Sequence, residues 1–211
     1  MFLEPYMPQE PKCGWLEVIC GSMFSGKTEE LIRRLKRATI ANQKVIIFKP
    51  VVDTRYGENA IVSHDSNSIK AVGVSKSIEI LELADSYEVI GIDEAQFFDL
   101  ELTDVSQKLA LDGKRVIIAG LDMDYLGKPF GPVPSLLAVS EYITKVHAIC
   151  PHCGSLATHS YRKEKDGDLV LLGEKDLYEP RCRGCYSKGE HLQLKKEKEL
   201  EKEPKKVQKK I

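Results

Sequence analysis

Gly21-Ser22-Met23-Phe24-Ser25-Gly26-Lys27-Thr28 fits G-x-x-x-x-G-K-[ST] at every fixed position, and this octapeptide constrains the fold more than any other feature of the chain. Such a loop works only where a strand delivers it and a helix leaves it. Leu16-Glu17-Val18-Ile19-Cys20 predicts the strand, and a stripe at Leu31, Ile32, Leu35 and Ala38 predicts a helix from Thr28 to about Ala41. The glycines let backbone N–H groups curl around a phosphate, and the helix N-terminus adds partial positive charge. Lys27 is expected to reach the β- and γ-phosphates, and the Thr28 hydroxyl to ligate Mg²⁺.

Downstream, short apolar runs keep alternating with helical patterns. Val45-Ile46-Ile47-Phe48 predicts a second strand, stopped by Pro50, and Ser77 to Ala84 a helix. Val89-Ile90-Gly91-Ile92 predicts a third strand. Leu102, Val105 and Leu109 stripe another helix that Gly113 can cap. Val116-Ile117-Ile118-Ala119 predicts a fourth strand, and Ile143 to Ile149 a fifth. Strands that are apolar throughout, alternating with helices, imply an α/β fold: a P-loop (RecA-like) parallel sheet covered by helices on both faces. After Cys150 the texture turns Gly-, Cys- and polar-rich, with no helical period. The expected organisation is an extension over 1–14, a P-loop domain over 15–149, a small module over 150–186 and a charged tail over 187–211.

A Mg²⁺ site also needs a carboxylate at the end of a neighbouring strand. Four apolar residues deliver Asp93 to the sheet's C-terminal edge, where ligands of open α/β sheets sit, so Asp93 is the expected partner of Thr28. Glu94 follows it directly. A carboxylate there can position and deprotonate the attacking oxygen of a phosphoryl transfer, or it can orient water or an arginine; its position favours the base role.

Cys150-Pro151-His152-Cys153 and Cys182-Arg183-Gly184-Cys185 form two C-x-x-C knuckles separated by residues 154–181. Four thiolates in two tight pairs suit a tetrahedral, closed and therefore structural zinc site. The metal would clamp the two ends of 154–181, and a segment of that length with little secondary structure is usually a binding loop. It is expected to fold over the phosphate-bearing edge. Cys20 ends a buried strand and reads as core rather than reactive.

Charge decides between two function classes. The chain carries 31 Lys+Arg against 32 Asp+Glu over 211 residues, which argues against a protein that coats nucleic acid. The sum hides an asymmetry, because the stretch from Lys188 holds nine lysines and five glutamates. That run, interrupted by Pro204, reads as a solvated tail rather than a short charged helix. Asp93-Glu94-Ala95-Gln96 is similar to a helicase motif, so a nucleic-acid ATPase with a zinc ribbon is one class. The chain has no room for a second ATPase-like domain, and Cys150–Cys185 balances six basic against six acidic side chains. A small-molecule kinase, for which one lidded P-loop domain is enough, is the other. No apolar run approaches ~18 residues, so no membrane span is expected. The N-terminus lacks the pattern of a secretory leader, and a cytoplasmic location is expected.

Several long motifs in order then carry a resemblance: GSMFSGKT, FKPVVDTRYG (48–57), the SHD at 63–65, IDEAQFF (92–98), AGLDMDYLGKPFG (119–131) and both knuckles. Together they resemble the type II, or cytosolic, thymidine kinases, over nearly everything from Trp15 to Tyr186. The resemblance implies transfer of the ATP γ-phosphate to the 5′-hydroxyl of thymidine and deoxyuridine, in nucleotide salvage. It makes Glu94 the base, with Asp53, Thr54, Arg55 and Gln96 joining Gly21 to Thr28 and Asp93 around ATP. It implies a lasso over 154–181 that grips the base mostly with backbone groups. Ser160, Leu169, Val170, Leu171, Leu172, Gly173 and Tyr178 fall on its nucleoside-contacting positions. Met23, Phe97, Leu121, Tyr125 and Phe130 are implied around the pyrimidine, and Cys150, Cys153, Cys182 and Cys185 around zinc. Ser160 stands where the family usually has threonine. A homotetramer inhibited by thymidine triphosphate is implied as well.

Overall fold

Every strand of the central sheet runs in the same direction, as continuous apolar strands require. The computed structural model describes residues 13–51, 71–163 and 177–200, with side chains through 193 in the last segment. The chain starts with β1 (Trp15–Cys20), α1 (Lys27–Ile40) and β2 (Val45–Pro50), and resumes with β3 (Ala71–Val74), α2 (Glu79–Leu83) and β4 (Val89–Ile92). Then come α3 (Leu102–Leu111), β5 (Arg115–Gly120), α4 (Val133–Val139) and β6 (Tyr142–Lys145). The six strands pair in the order β3-β2-β4-β5-β1-β6.

Alternate side chains of the central strands feed two cores. Leu16, Val18 and Cys20 join Val116 and Ile118 beneath α2, α3 and α4. Ile19, Ile117 and Ala119 meet Leu31 and Leu35 of α1 on the other face. Each fully buried Leu or Ile contributes about 1.5–3 kcal/mol. Gly91, in the middle of β4, lets α1 come close: a Cβ there would lie 2.7 Å from Leu35 Cδ1. Helix α3 ends as its glycine predicts. Gly113 adopts φ 85°, its N–H donates to Ala110 O, and Lys114 N–H donates to Leu109 O, a Schellman closure.

On the α1 face, the apolar strand pattern hides a buried charge cluster. Glu17 is fully buried and accepts from Arg34 Nη1 at 2.8 Å, Arg115 Nε at 2.6 Å and Trp15 Nε1 at 2.8 Å. Arg34 of α1 is only 2% exposed and also bonds Glu30 and Thr144.

The structure corrects three sequence-based expectations and adds one strand. The predicted fifth strand divides: β6 ends at Lys145 when β1 runs out, and Ala148–Ile149 form β7, which pairs antiparallel with β8 (Leu156–Ala157) in a separate ladder. Strand β3 had no expectation attached. Helix α2 begins at Glu79 rather than Ser77, because the preceding turn is tighter, with Ile80 N–H donating to Ser77 O and Leu81 N–H to Ile78 O. The largest change lies beyond the second knuckle. After β9 (His159–Arg162) and β10 (Tyr178–Arg181), which pair antiparallel, Arg183–Leu200 forms an 18-residue helix, α5, through the first part of the expected solvated tail. Its Lys, Glu, Leu and Gln content favours a helix once docking anchors one end. Gly189 allows the docking, since a Cβ there would strike the Arg181 guanidinium and the Tyr161 ring.

Candidate active site at the carboxyl edge of the sheet

Strands β1 and β4 bring the phosphate loop and the acidic pair to the same sheet edge, with β5 between them. Gly21 extends from β1 at φ 148°, where a Cβ would sit 2.2 Å from Val146 O, so only glycine fits beneath the chain leaving β6. Gly26 adopts φ 85° and hands the chain to α1, whose first turn is closed by Glu30 N–H donating to Gly26 O at 3.0 Å. Within the loop, Ser25 Oγ and Lys27 Nζ donate to Ser22 O at 2.7 and 2.8 Å. The ammonium thus lies folded over the backbone cradle that it would share with a phosphate. Burial pulls the Lys27 pKa down, while Glu94 and Asp93 hold it up.

Thr28 Oγ1 donates to Asp93 Oδ2 at 3.1 Å, and Asp93 is 6% exposed. A hydroxyl beside a carboxylate at the phosphate end of a helix is a donor set for a hard divalent cation, so the residues present fit Mg²⁺. Burial, followed by the neighbouring Glu94 charge, pushes the Asp93 carboxyl up to about 7. A bound cation would reverse that direction.

Glu94 has φ 53°, in the left-handed region, and the 3₁₀ turn Ala95–Phe97 follows it. Its N–H donates to Asp93 Oδ1 at 3.0 Å, and its Oε2 accepts from Gln96 Nε2 at 2.5 Å. A non-glycine residue in this region costs of order 1–3 kcal/mol and persists where surroundings impose it. Gln96, expected among the nucleotide contacts, is 3% exposed and has its amide engaged elsewhere. Its Oε1 accepts from Leu121 N–H at 2.9 Å, which leaves Nε2 facing Glu94.

The two adjacent phenylalanines differ in burial. Phe98 enters the core, whereas the half-buried Phe97 meets Phe130 edge-to-face with ring centroids 5.7 Å apart. Leu121, Tyr125 and Phe130 all lie on residues 121–130, which fold back through a bridge between Met123 and Pro129. Asp122 on the same segment pairs with Lys145 at 2.5 Å, an ion pair absent from the sequence reading.

The module crosses directly onto the phosphate loop. Met23 N–H donates to Ser160 Oγ at 3.0 Å, and Ser22 Oγ donates to Ala157 O at 3.4 Å. Ser160, expected at the nucleoside, is buried and spends its hydroxyl oxygen on the loop backbone. Tyr178 is 7% exposed and sits opposite Arg162 in the β9–β10 ladder. Asp53, Thr54 and Arg55 lie outside the described residues, as do Leu169, Val170, Leu171, Leu172 and Gly173.

The four knuckle cysteines bring their sulfurs within 4.8 Å of one another, with Cys153 Sγ and Cys182 Sγ at 3.5 Å. Tetrahedral zinc with Zn–S bonds near ~2.3 Å needs sulfur separations of about 3.8 Å, so the cluster fits the ion. Cys20 is separate from this chemistry: it is buried, and burial pushes its thiol up to about 11.

Comparison with known proteins fits this arrangement. The family model described as "Thymidine kinase" matches residues 14–186. The chain is 58% identical over 187 residues to a protein named Thymidine kinase from Rhodothermus sp. (strain ITI 518), covering 85% of this chain and 88% of that protein. A thymidine kinase from Bacteroides fragilis (strain YCH46) is 56% identical over 188 residues, 89% of this chain and 94% of the relative. One from Porphyromonas gingivalis (strain ATCC 33277) is 57% identical over 175 residues, 83% and 86% of the two chains.

Proposed function

The chain belongs to the thymidine kinase family and is an enzyme of the kinase class, and from that premise we propose how its own residues carry out the transfer. The substrates are ATP and the 5′-hydroxyl of thymidine, with deoxyuridine also accepted, as a step in nucleotide salvage. The observation that carries this reading is the convergence of Lys27, the Thr28–Asp93 pair and Glu94 on one edge, beneath a module that bonds the same loop through Ser160.

The loop amides from Gly21 to Lys27 and the α1 N-terminus receive the β- and γ-phosphates, and Lys27 moves from Ser22 O to phosphate oxygen. Thr28 and Asp93 would hold Mg²⁺, which would supply neutralisation of the phosphate charge when bound. Glu94, aimed by Gln96, accepts the 5′-hydroxyl proton as that oxygen attacks the γ-phosphorus. The bond from γ-phosphorus to the bridging oxygen breaks, its electron pair leaves with ADP, and the nucleoside becomes a 5′-monophosphate. Catalysis is then mainly positioning and electrostatics, since phosphoryl transfer leaves the protein little covalent work. Met23, Phe97, Leu121, Tyr125 and Phe130 enclose the pyrimidine, and the 154–181 lasso holds its edge, its two ends drawn together by the four cysteines that would hold a structural zinc.

The family pattern further supports a cytoplasmic homotetramer inhibited by thymidine triphosphate, acting without nucleic acid or membrane. Among the described residues no helix is long and apolar enough to cross a bilayer. The direct test supplies ATP with each deoxynucleoside in turn and measures nucleoside monophosphate. Thymidine is expected to be the leading acceptor, and Glu94→Gln is expected to bind ATP normally while losing at least about 100-fold in turnover. Near-normal turnover in that variant removes the base assignment. ATP hydrolysis stimulated by DNA or RNA, with no nucleoside phosphorylated, would instead favour a nucleic-acid ATPase.

A further inference from the structure

We propose that Tyr186 is a positioning residue for nucleoside binding, tying the cysteine-bearing module to the tip of the 122–130 hairpin. The proposal rests on the thymidine kinase reading for the identity of the ligand and on hydrogen-bond geometry for the contact itself.

The hairpin is braced to move as one body. Asp124 N–H donates to Lys128 O at 2.9 Å, Phe130 N–H donates to Asp122 O at 3.2 Å, and Asp124 Oδ1 accepts from Leu126 and Lys128 N–H, each at 2.9 Å. Its base is fixed to the catalytic turn, because Leu121 N–H is bonded to Gln96 and Gly131 packs against Gln96 O. A Cβ on Gly131 would lie 2.3 Å from that oxygen. Those contacts hold one end only, so the hairpin can still pivot about its base unless a further contact holds the tip.

Tyr186 supplies that constraint. Its hydroxyl donates to Tyr125 O at 2.8 Å, and Gly127 lies against both the same hydroxyl and the His159 ring. Tyr186 directly follows Cys185, and its N–H donates to Cys182 O at 2.9 Å, so its backbone is part of the second knuckle. Its ring stacks on His159 at 4.5 Å and meets Tyr161 edge-on at 6.1 Å, which leaves it little rotational freedom. One rigid side chain thus connects the knuckle to a hairpin carrying two expected pyrimidine contacts, Tyr125 and Phe130. Phosphate contacts at Lys27 and Thr28 are made by other elements and do not pass through it.

The test is Tyr186→Phe in the full-length, zinc-loaded protein, which keeps the ring and removes only the donor. The KM for thymidine is expected to rise about five- to tenfold, the worth of one net hydrogen bond. The KM for ATP and the zinc content are expected to stay at wild-type values and the thermal midpoint to fall by no more than about 4 °C, while amide exchange across 122–130 accelerates. A wild-type KM for thymidine together with wild-type exchange overturns the proposal. So does loss of zinc or fold, or equal weakening toward ATP, since each marks Tyr186 as merely structural. The wild-type protein runs alongside: if it phosphorylates no thymidine, the functional reading has failed, and the exchange arm still decides the contact.

Discussion

Gln96→Leu isolates how far the proposed base depends on being aimed. The carboxamide touches Leu121 N–H through one end and Glu94 Oε2 through the other, at 2.9 and 2.5 Å. Leucine has nearly the same volume and can make neither bond. A hydrogen bond to a charged partner contributes about 1.5–3 kcal/mol. If that energy holds the carboxylate in its attacking position, then at about 1.36 kcal/mol per tenfold kcat falls roughly 10- to 150-fold. Orphaning the Leu121 N–H adds about 1–3 kcal/mol of destabilisation, which appears in denaturant unfolding and not in turnover. Steady-state kinetics with thymidine varied at saturating ATP, combined with calorimetric ATP binding, separates the two effects. A kcat within twofold of wild type refutes the aiming argument. Preserved kcat with weakened ATP binding would return Gln96 to the nucleotide contacts.

Two further perturbations address the clamp and the buried charges. Cys153→Ser is expected to lose zinc and weaken thymidine binding at least about tenfold while ATP binding persists; metal analysis beside calorimetry checks this, and unchanged thymidine affinity in zinc-free protein removes the clamp. Glu17→Gln takes the charge from a fully buried acceptor facing Arg34 and Arg115. Because Arg34 retains Glu30 and Thr144, a loss of about 2–4 kcal/mol is expected, below the full 3–5 for a broken buried pair. Urea unfolding followed by Trp15, whose indole donates to Glu17, measures it, and a change under about 0.5 kcal/mol contradicts the burial argument.

What could be read from the sequence was chemistry carried by local spacing. The phosphate loop, the Asp93-Glu94 pair at a strand end and the paired knuckles each require particular residue types a few positions apart, and the structure brings each group together. Hidden from that reading were contacts between distant segments. Ser160 meets Met23 across 137 positions, and Asp122 meets Lys145 across 23; neither pair has a local pattern. Arg34 has charged neighbours along its helix and its partner Glu17 lies on an otherwise apolar strand, so no local pattern joins the two. The α5 segment misled for a related reason. Its charge run describes a solvated chain equally well, and docking through Gly189 onto Arg181 and Tyr161 is a tertiary event that composition does not record.

The strand order also fixes when this site can exist during synthesis. Among the described residues β1 is the first strand made, yet its hydrogen-bonded neighbours are β5 and β6, so one edge waits for residues 115–120 and the other for 142–145. The phosphate loop waits longer still, because Gly21 is covered by Val146, Val146 N–H closes on Cys20 O at 2.9 Å, and Met23 N–H donates to Ser160 Oγ. A nascent chain released before that point would carry the whole loop sequence without the walls that shape it. Nucleotide binding is therefore a late event of chain growth, and the first motif translated is among the last to become competent.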